Sequence, residues 1–180
     1  MGSMAMRSKA SVALVLFAIF AQTRPAICAS ASGTAQVTVF RALSITANRT
    51  LRFGTLIRPA AGSGTAVIDT VGSGGLTVGG GVTSAASSTH GNADFSVVGE
   101  GAQSVTVSVD PTFTMNGPGG ATLTVTTTGL TSGTGVQSLG GSLGGNSPAV
   151  DVVVGGSLTI PSSQQTGAYS GTFNVTASYN

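Results

Sequence analysis

The sequence predicts an all-β fold, a sandwich or barrel of antiparallel strands. Apolar and polar residues alternate in many short segments, as a half-buried strand requires, because its successive side chains point to opposite faces of the sheet. Glycine-rich stretches separate these segments at a spacing that is typical of sandwiches and barrels. Beyond the N-terminal region, neither helical periodicity nor a change in composition marks a second domain. One β-domain is therefore expected.

Residues 1–31 are predicted to be a cleaved secretory signal peptide. Two basic residues precede an apolar run at residues 10–21, which is short for an anchor because a membrane-spanning helix needs about 20 residues. Ala29 and Ala31 are the small residues that a signal peptidase accepts, so cleavage is expected before Ser32. The alternative is an uncleaved N-terminal membrane helix. Cleavage would leave no membrane span in the mature chain.

The expected mature chain carries little charge and no cysteine. Four arginines and no lysine stand against five acidic residues, so the formal net charge is four minus five, or −1. Nucleic-acid binding needs a patch of lysine and arginine that neutralises phosphates, so this class of function is excluded. Cys28 would leave with the signal, so stability must come from burial and from β-ladders rather than from disulfides.

The predicted strands account for most of the mature chain. β-Branched residues occur on both faces of these segments, as strands prefer. In chain order, the predicted strands cover residues 36–40, 43–47, 50–57, 65–71, 93–98, 104–110, 121–128, 150–154, 157–160 and 169–180. The glycine-rich stretches predicted to be turns cover residues 72–75, 79–81, 116–120, 140–145 and 155–156.

The C-terminal segment has the most regular pattern in the chain. Every second residue from 170 to 180 is serine, threonine or asparagine, and no position breaks the alternation. The opposite face carries Tyr169, Gly171, Phe173, Val175, Ala177 and Tyr179. This pattern predicts a strand with one face on the core.

No catalytic, metal-binding or cofactor-binding motif is present. His90 is the single histidine, and a Ser-His-Asp arrangement with Asp94 lacks a serine in a Gly-x-Ser-x-Gly turn, so a solvated loop histidine is favoured. Zinc would need several histidine or cysteine ligands, and the acidic residues are too dispersed for a calcium loop. The glycine clusters lack the lysine of a phosphate-binding loop. We expect a non-enzymatic protein without a cofactor.

Three groups of motifs resemble a known bacterial family. They lie at residues 43–46 with 51–57, at residues 95–100 and at residues 167–176. Together they are similar to the family called domain of unknown function 4402, whose members are signal-bearing β-proteins considered pilin-like. The resemblance implies an exported structural protein.

The C-terminal segment also resembles that of the chaperone-usher pilins. Tyr179 is the penultimate residue, and Gly167 is the fourteenth from the end, since 180 minus 167 plus one is fourteen. In those pilins an immunoglobulin-like sandwich lacks its last strand, and a periplasmic chaperone and then the N-terminal extension of the next subunit fill the gap. The resemblance implies a C-terminal assembly strand, passage through the periplasm and an usher. The absence of a mature cysteine departs from the disulfide-bearing pilins.

A candidate donor strand precedes the predicted domain, which covers residues 42–180. Residues 32–41 place Gly33, Ala35, Val37 and Val39 on one face. Insertion into a second copy would build a head-to-tail filament, because such a contact does not close on itself. Alternatively, residues 36–40 pair within their own subunit.

The rival function is a monomeric adhesin that presents loops at residues 79–92 or 133–147, although neither loop has a tyrosine, phenylalanine or tryptophan for sugar stacking.

Overall fold

The computed structural model describes residues 28–129 and 134–180. Most of the predicted signal peptide therefore lies outside the described residues. The chain divides into two units, Met1–Val37 and Thr38–Asn180. The described part of the first unit has no regular secondary structure, and it includes Ala29, Ala31 and Ser32, which are exposed. Among the residues described, no helix is both long and apolar enough to cross a bilayer.

The second unit is an all-β structure, as the alternation predicted. Every described strand pair is antiparallel. The strands are β1 (Ser44–Arg49), β2 (Leu56–Ile57), β3 (Ser63–Ile68), β4 (Leu76–Gly79), β5 (Thr83–Ser84), β6 (Ala93–Val98), β7 (Ser104–Val109), β8 (Thr112–Asn116), β9 (Thr122–Thr128), β10 (Thr134–Ser138), β11 (Val150–Pro161) and β12 (Val175–Tyr179). A 3-10 turn, Pro118–Gly120, connects β8 to β9.

β11 organises the larger sheet because its two halves have different partners. Its first half pairs with β6, which pairs in turn with β1. Its second half pairs with both β3 and β9, and these strands continue to β4 and β8. The partner changes at Gly155 and Gly156, where a Cβ on Gly156 would stand 3.0 Å from Val125 Cγ1 and 3.1 Å from Leu51 Cδ2. Glycine therefore permits the close approach at this junction.

The smaller sheet contains three strands in the order β10-β7-β12. Its central strand, β7, turns Val105, Val107 and Val109 inward, and all three are buried. These valines belong to one apolar cluster with residues of the larger sheet. Its buried members are Ala93, Val97, Val105, Val107, Val109, Leu139, Val152 and Val154. Inward rows from two sheets that share one core make this part a β-sandwich.

A second apolar cluster lies against the other half of the larger sheet. Its buried members come from β3, β9, β11 and the segments around Phe53 and Val82, and they are Phe53, Ala66, Ile68, Val82, Val125, Leu158 and Ile160. Leu51 packs against both clusters. The two cores therefore share a boundary residue.

Most of the predicted strands are confirmed, but the turn predicted at residues 155–156 lies inside β11, and the strand predicted at residues 169–180 forms a ladder only over Val175–Tyr179. Two further predictions are wrong. Residues 36–40 form no strand within the chain, and their apolar residues Val37 and Val39 are 85% and 80% exposed. Residues 50–57 contribute only β2 and an isolated bridge at Arg52. The backbone there turns at Gly54, whose φ is +75°, and buries Phe53 instead of extending a ladder.

Candidate functional site

The C-terminal strand β12 lies at the edge of the smaller sheet. Its residues pair with β7 in a regular antiparallel register, from Val175 opposite Val109 to Tyr179 opposite Val105. Within the described part of the chain, no strand pairs with the other side of β12. The edge therefore presents a row of backbone donors and acceptors to which a further strand can bond.

The side chains of β12 alternate as predicted, but the inward row is only half-buried. Val175, Ala177 and Tyr179 are each partly exposed, while their neighbours Thr176 and Ser178 are fully exposed. The valines directly opposite on β7 have at most 4% of their surface exposed. The difference means that the core is well covered under β7 and thinly covered under β12.

The larger sheet has a similar edge at β1. This strand pairs with β6, and its side chains are exposed except for Ile45, which is half-buried. Ile45 and the preceding Leu43 pack against the same apolar cluster as Val175 and Ala177. We call Leu43, Ile45, Phe173, Val175, Ala177 and Tyr179 the open edge, because both sheets end there with incompletely covered apolar side chains.

Three aromatic rings hold the end of the open edge that precedes β12. Phe173 stacks on Phe113 at 5.1 Å between ring centroids and meets Phe95 edge-on at 5.9 Å. The backbone N–H and side-chain amide of Asn174 donate to the Asp110 carboxylate at 2.8 and 2.9 Å. These contacts fix the segment around Phe173 and Asn174, which lies between the pairing with β8 in the larger sheet and the pairing with β7 in the smaller sheet.

The opposite end of the open edge is fixed by the hydroxyl of Tyr179. This hydroxyl donates to the carbonyl oxygen of Arg41 at 2.8 Å and accepts from the Glu100 backbone N–H at 2.6 Å. Phe40 packs on the Tyr179 ring with centroids 5.5 Å apart. The last residues of the chain are thus bonded to the place where the N-terminal extension joins the domain.

Glu100 completes this connection with its buried carboxylate. Its side chain is 3% exposed, and its oxygens accept from the backbone N–H groups of Arg41 and Gly144 and approach the Arg41 guanidinium at 3.8 Å. Gly99 precedes it without a side chain, and a Cβ there would lie 2.5 Å from the Tyr179 hydroxyl and 2.6 Å from Leu43 Cδ2. A buried carboxylate needs such partners because an unpaired charge is strongly disfavoured away from water.

The remaining residues of the predicted assembly strand lie elsewhere. Residues 169–174 do not form a ladder, and only Ser170 makes a bridge, to Asn116. The Tyr169 hydroxyl donates to Gln165 O and accepts from the Gln164 side chain, and Gly167 lies beside Pro118 with a φ of +144°. Gly167, Tyr169 and Gly171 therefore anchor the approach to β12 rather than the open edge itself.

The candidate donor residues are accessible and have no regular structure. Gly33, Ala35, Val37 and Val39 are all exposed, and none lies in a strand. A Cβ on Gly33 would have nothing within 4 Å. Leu43, Ile45 and Glu100 are the site residues that sequence reasoning did not assign. Only Leu43 and Ile45 carried a usable signal, because they alternate like Val175 and Ala177.

Cavities outside the open edge include three of about 990, 540 and 390 Å³. The largest of these three lies between residues 51–60 and 162–169 above Leu158 and Ile160. The smallest of them is lined by Arg49, Arg52 and His90 among others. Within residues 28–129 and 134–180, no group of three or more histidine, cysteine or acidic side chains is arranged to hold a metal ion.

A family model described as Domain of unknown function (DUF4402) matches residues 43–179. The matched range begins at Leu43 and ends at Tyr179, the two residues that meet beside Gly99. It confirms the resemblance predicted from the motifs. No curated protein and no solved structure matches the chain.

Proposed function

The chain belongs to the DUF4402 family, and we propose that it is an exported structural subunit of a surface filament whose copies join by β-strand addition. The observation that carries the proposal is the open edge, where β12 has an unpaired side and half-buried apolar residues. We call residues 32–41 the donor segment. It offers an alternating row of small and apolar side chains that is exposed in the single chain.

Addition of a strand to β12 would stabilise the domain in two ways. The ladder would gain backbone hydrogen bonds, and alternate side chains of the added strand would cover Val175, Ala177 and Tyr179. Apolar burial contributes roughly 25 cal/mol per Å² removed from water. An exposed edge above an incomplete core otherwise favours uncontrolled association, so a dedicated partner strand is physically advantageous.

The length of the chain favours pairing of β12 with the donor segment of another copy. It disfavours antiparallel pairing of β12 with the donor segment of the same copy. Arg41 is bonded to Tyr179, so the donor segment reaches the domain at the C-terminal end of β12. Antiparallel self-insertion would place Val39 near Val175. Val175 lies four residues before Tyr179, which is about 13 Å along β12 at ~3.3 Å per residue. The two residues from Val39 to Arg41 span at most about 7 Å. A second copy has no such restriction, and antiparallel pairing is the type used throughout this domain.

The contact joins two different surfaces, the donor segment of one copy and the open edge of the next. Such a heterologous contact forms open chains when its rotation does not close. The proposal adds passage through the periplasm, a chaperone that covers the open edge there, an usher that receives the subunit, and final placement at the cell surface. It assigns no reaction to the chain.

The decisive experiment removes the donor segment. Deletion of residues 32–40 from the exported chain should abolish filaments in electron micrographs, while the remaining domain still unfolds cooperatively. A matched pair of point variants, Val37→Asp and Thr38→Asp, tests which face of the donor segment contacts the core of the next copy. Only the first places a charge on the row that would contact the core. Filaments assembled from the deleted chain, or equal effects of the two point variants, would contradict donor-strand assembly.

A further inference from the structure

The smallest of these three cavities is lined mostly by polar residues and includes two of the four arginines in the described part of the chain. It lies at the end of β1 and is formed by three segments, residues 47–52, Ser73 and residues 89–92, and its volume is about 390 Å³. That volume is within the range of small-molecule sites, roughly 300–1,000 Å³. We call it the Arg49–Arg52 pocket. It lies at the bulge between Ala47 and Arg49, and none of the open-edge residues line it.

Main-chain hydrogen bonds fix the three segments to each other. Arg52 and Gly91 exchange two backbone bonds at 2.8 and 2.9 Å, and Asn92 N–H donates to Ser73 O at 3.1 Å. The Asn92 side chain, which is 1% exposed with its residue, donates to Gly72 O at 3.2 Å. The pocket is therefore held in shape by backbone pairing, which reduces the ordering that a ligand would have to impose.

Two arginines supply its charge. Arg49 contacts Asp94 at 3.6 Å, whereas Arg52 uses its Nε for a bond to Thr50 Oγ1 at 3.0 Å. The terminal nitrogens of Arg52 bond to no acceptor among the residues described. A guanidinium with free terminal N–H groups is well suited to a carboxylate, which it binds through two parallel hydrogen bonds.

We propose that the Arg49–Arg52 pocket binds an acidic saccharide, with the sugar carboxylate on Arg52 and the sugar hydroxyls on the surrounding amide and hydroxyl side chains. Asn48, Thr50, Ser73 and Thr89 line the pocket and both donate and accept hydrogen bonds, as sugar hydroxyls do. The lining has no phenylalanine, tyrosine or tryptophan, so recognition depends on charge and hydrogen bonding instead of ring stacking. In a filament, each copy would carry one such pocket, and many weak sites would act together.

The test is a titration of the purified exported protein with trigalacturonate, followed by calorimetry and by backbone NMR shifts. Saturable binding is expected, with shifts confined to residues 47–52, 73 and 89–92. Arg52→Gln should weaken it by at least about tenfold, as loss of a charge-assisted pair implies. Arg58→Gln is the matched control: Arg58 and Arg52 both line the cavity of about 990 Å³, but only Arg52 also lines the Arg49–Arg52 pocket, so the Arg58 variant should leave binding unchanged.

Four results would overturn the proposal. They are the absence of saturable binding, equal binding of uncharged trigalactose, equal binding of inorganic sulfate, and an equal loss in Arg58→Gln. Thr89→Val provides a second variant that keeps the charge of the pocket while removing a hydroxyl, and it should weaken binding severalfold. Circular dichroism of each variant establishes that the domain is folded, so that a lost signal reports on the pocket.

Discussion

Replacement of Tyr179 by phenylalanine tests the connection between the C-terminal strand and the N-terminal extension. The change removes one oxygen and keeps the ring that packs on Phe40 and on the core. The lost oxygen bonds to Arg41 O and to the Glu100 N–H. The variant therefore separates the polar connection from apolar burial.

The expected loss of stability follows from these two hydrogen bonds. Each contributes about 1 kcal/mol net, and an unsatisfied buried N–H adds a penalty of about 1–3 kcal/mol. The bond to Arg41 O is exposed and the Glu100 N–H is only part-buried, so water can reach the freed groups, the penalty is left out and the total is about 2 kcal/mol. With a urea slope of roughly 2 kcal/mol/M, the unfolding midpoint should fall by about 1 M.

The matched control is Tyr169→Phe. Its hydroxyl also makes one exposed and one part-buried hydrogen bond, to Gln165 O and from the Gln164 side chain. The Gln164 amide is on a side chain that can turn to water when the hydroxyl is lost, whereas the Glu100 N–H is fixed in the backbone of a residue that is only 2% exposed. The urea midpoint of this variant should therefore fall by less than half as much. Equal midpoints for Tyr179→Phe and the parent chain, or an equal loss in both variants, would refute the role given to the Tyr179 hydroxyl.

Two further predictions concern the open edge. Gly99→Ala should destabilise the domain by about 1–3 kcal/mol in urea unfolding, because the added Cβ displaces the bonded Tyr179 hydroxyl and Leu43; Gly33→Ala, which meets nothing within 4 Å, is its neutral control. Ala177→Asp should prevent filament assembly, because it places a charge on the half-buried row of β12. Thr176→Asp, on the exposed face, should leave assembly intact. Equal filament counts in the two variants would contradict the assignment of Ala177 to the face that contacts the core.

The sequence predicted the fold well where alternation was strict. β6 occupies residues 93–98 as expected, and the exposure of residues 173–180 alternates at every position. The prediction failed at residues 50–57, because an alternating pattern does not reveal that Gly54 turns the chain and buries Phe53. It divided β11 into two strands because the Gly155-Gly156 pair resembles a turn, whereas in the fold it permits close packing.

The candidate site was predictable only in part for a similar reason. Alternation identified Val175, Ala177 and Tyr179, since side-chain facing is a local property of a strand. Their incomplete burial is not local, because it depends on which strands lie beside β12 and β1. Glu100 belongs to the motif at residues 95–100, but the sequence did not reveal its role at the site, because its partners Arg41 and Gly144 are distant in sequence.

The two proposed activities occupy different parts of the domain, and this makes them separable. β1 contributes Ile45 to the open edge and Arg49 to the saccharide pocket, with a bulge between Ala47 and Arg49 interrupting its pairing with β6. None of the open-edge residues lines the pocket, and substitutions that share no partner usually act independently of each other. Arg52→Gln should therefore assemble into normal filaments that have lost trigalacturonate binding. Conversely, the chain that lacks residues 32–40 should bind trigalacturonate with the affinity of a single parental pocket, since removal of the donor segment leaves the Arg52–Gly91 pairing in place.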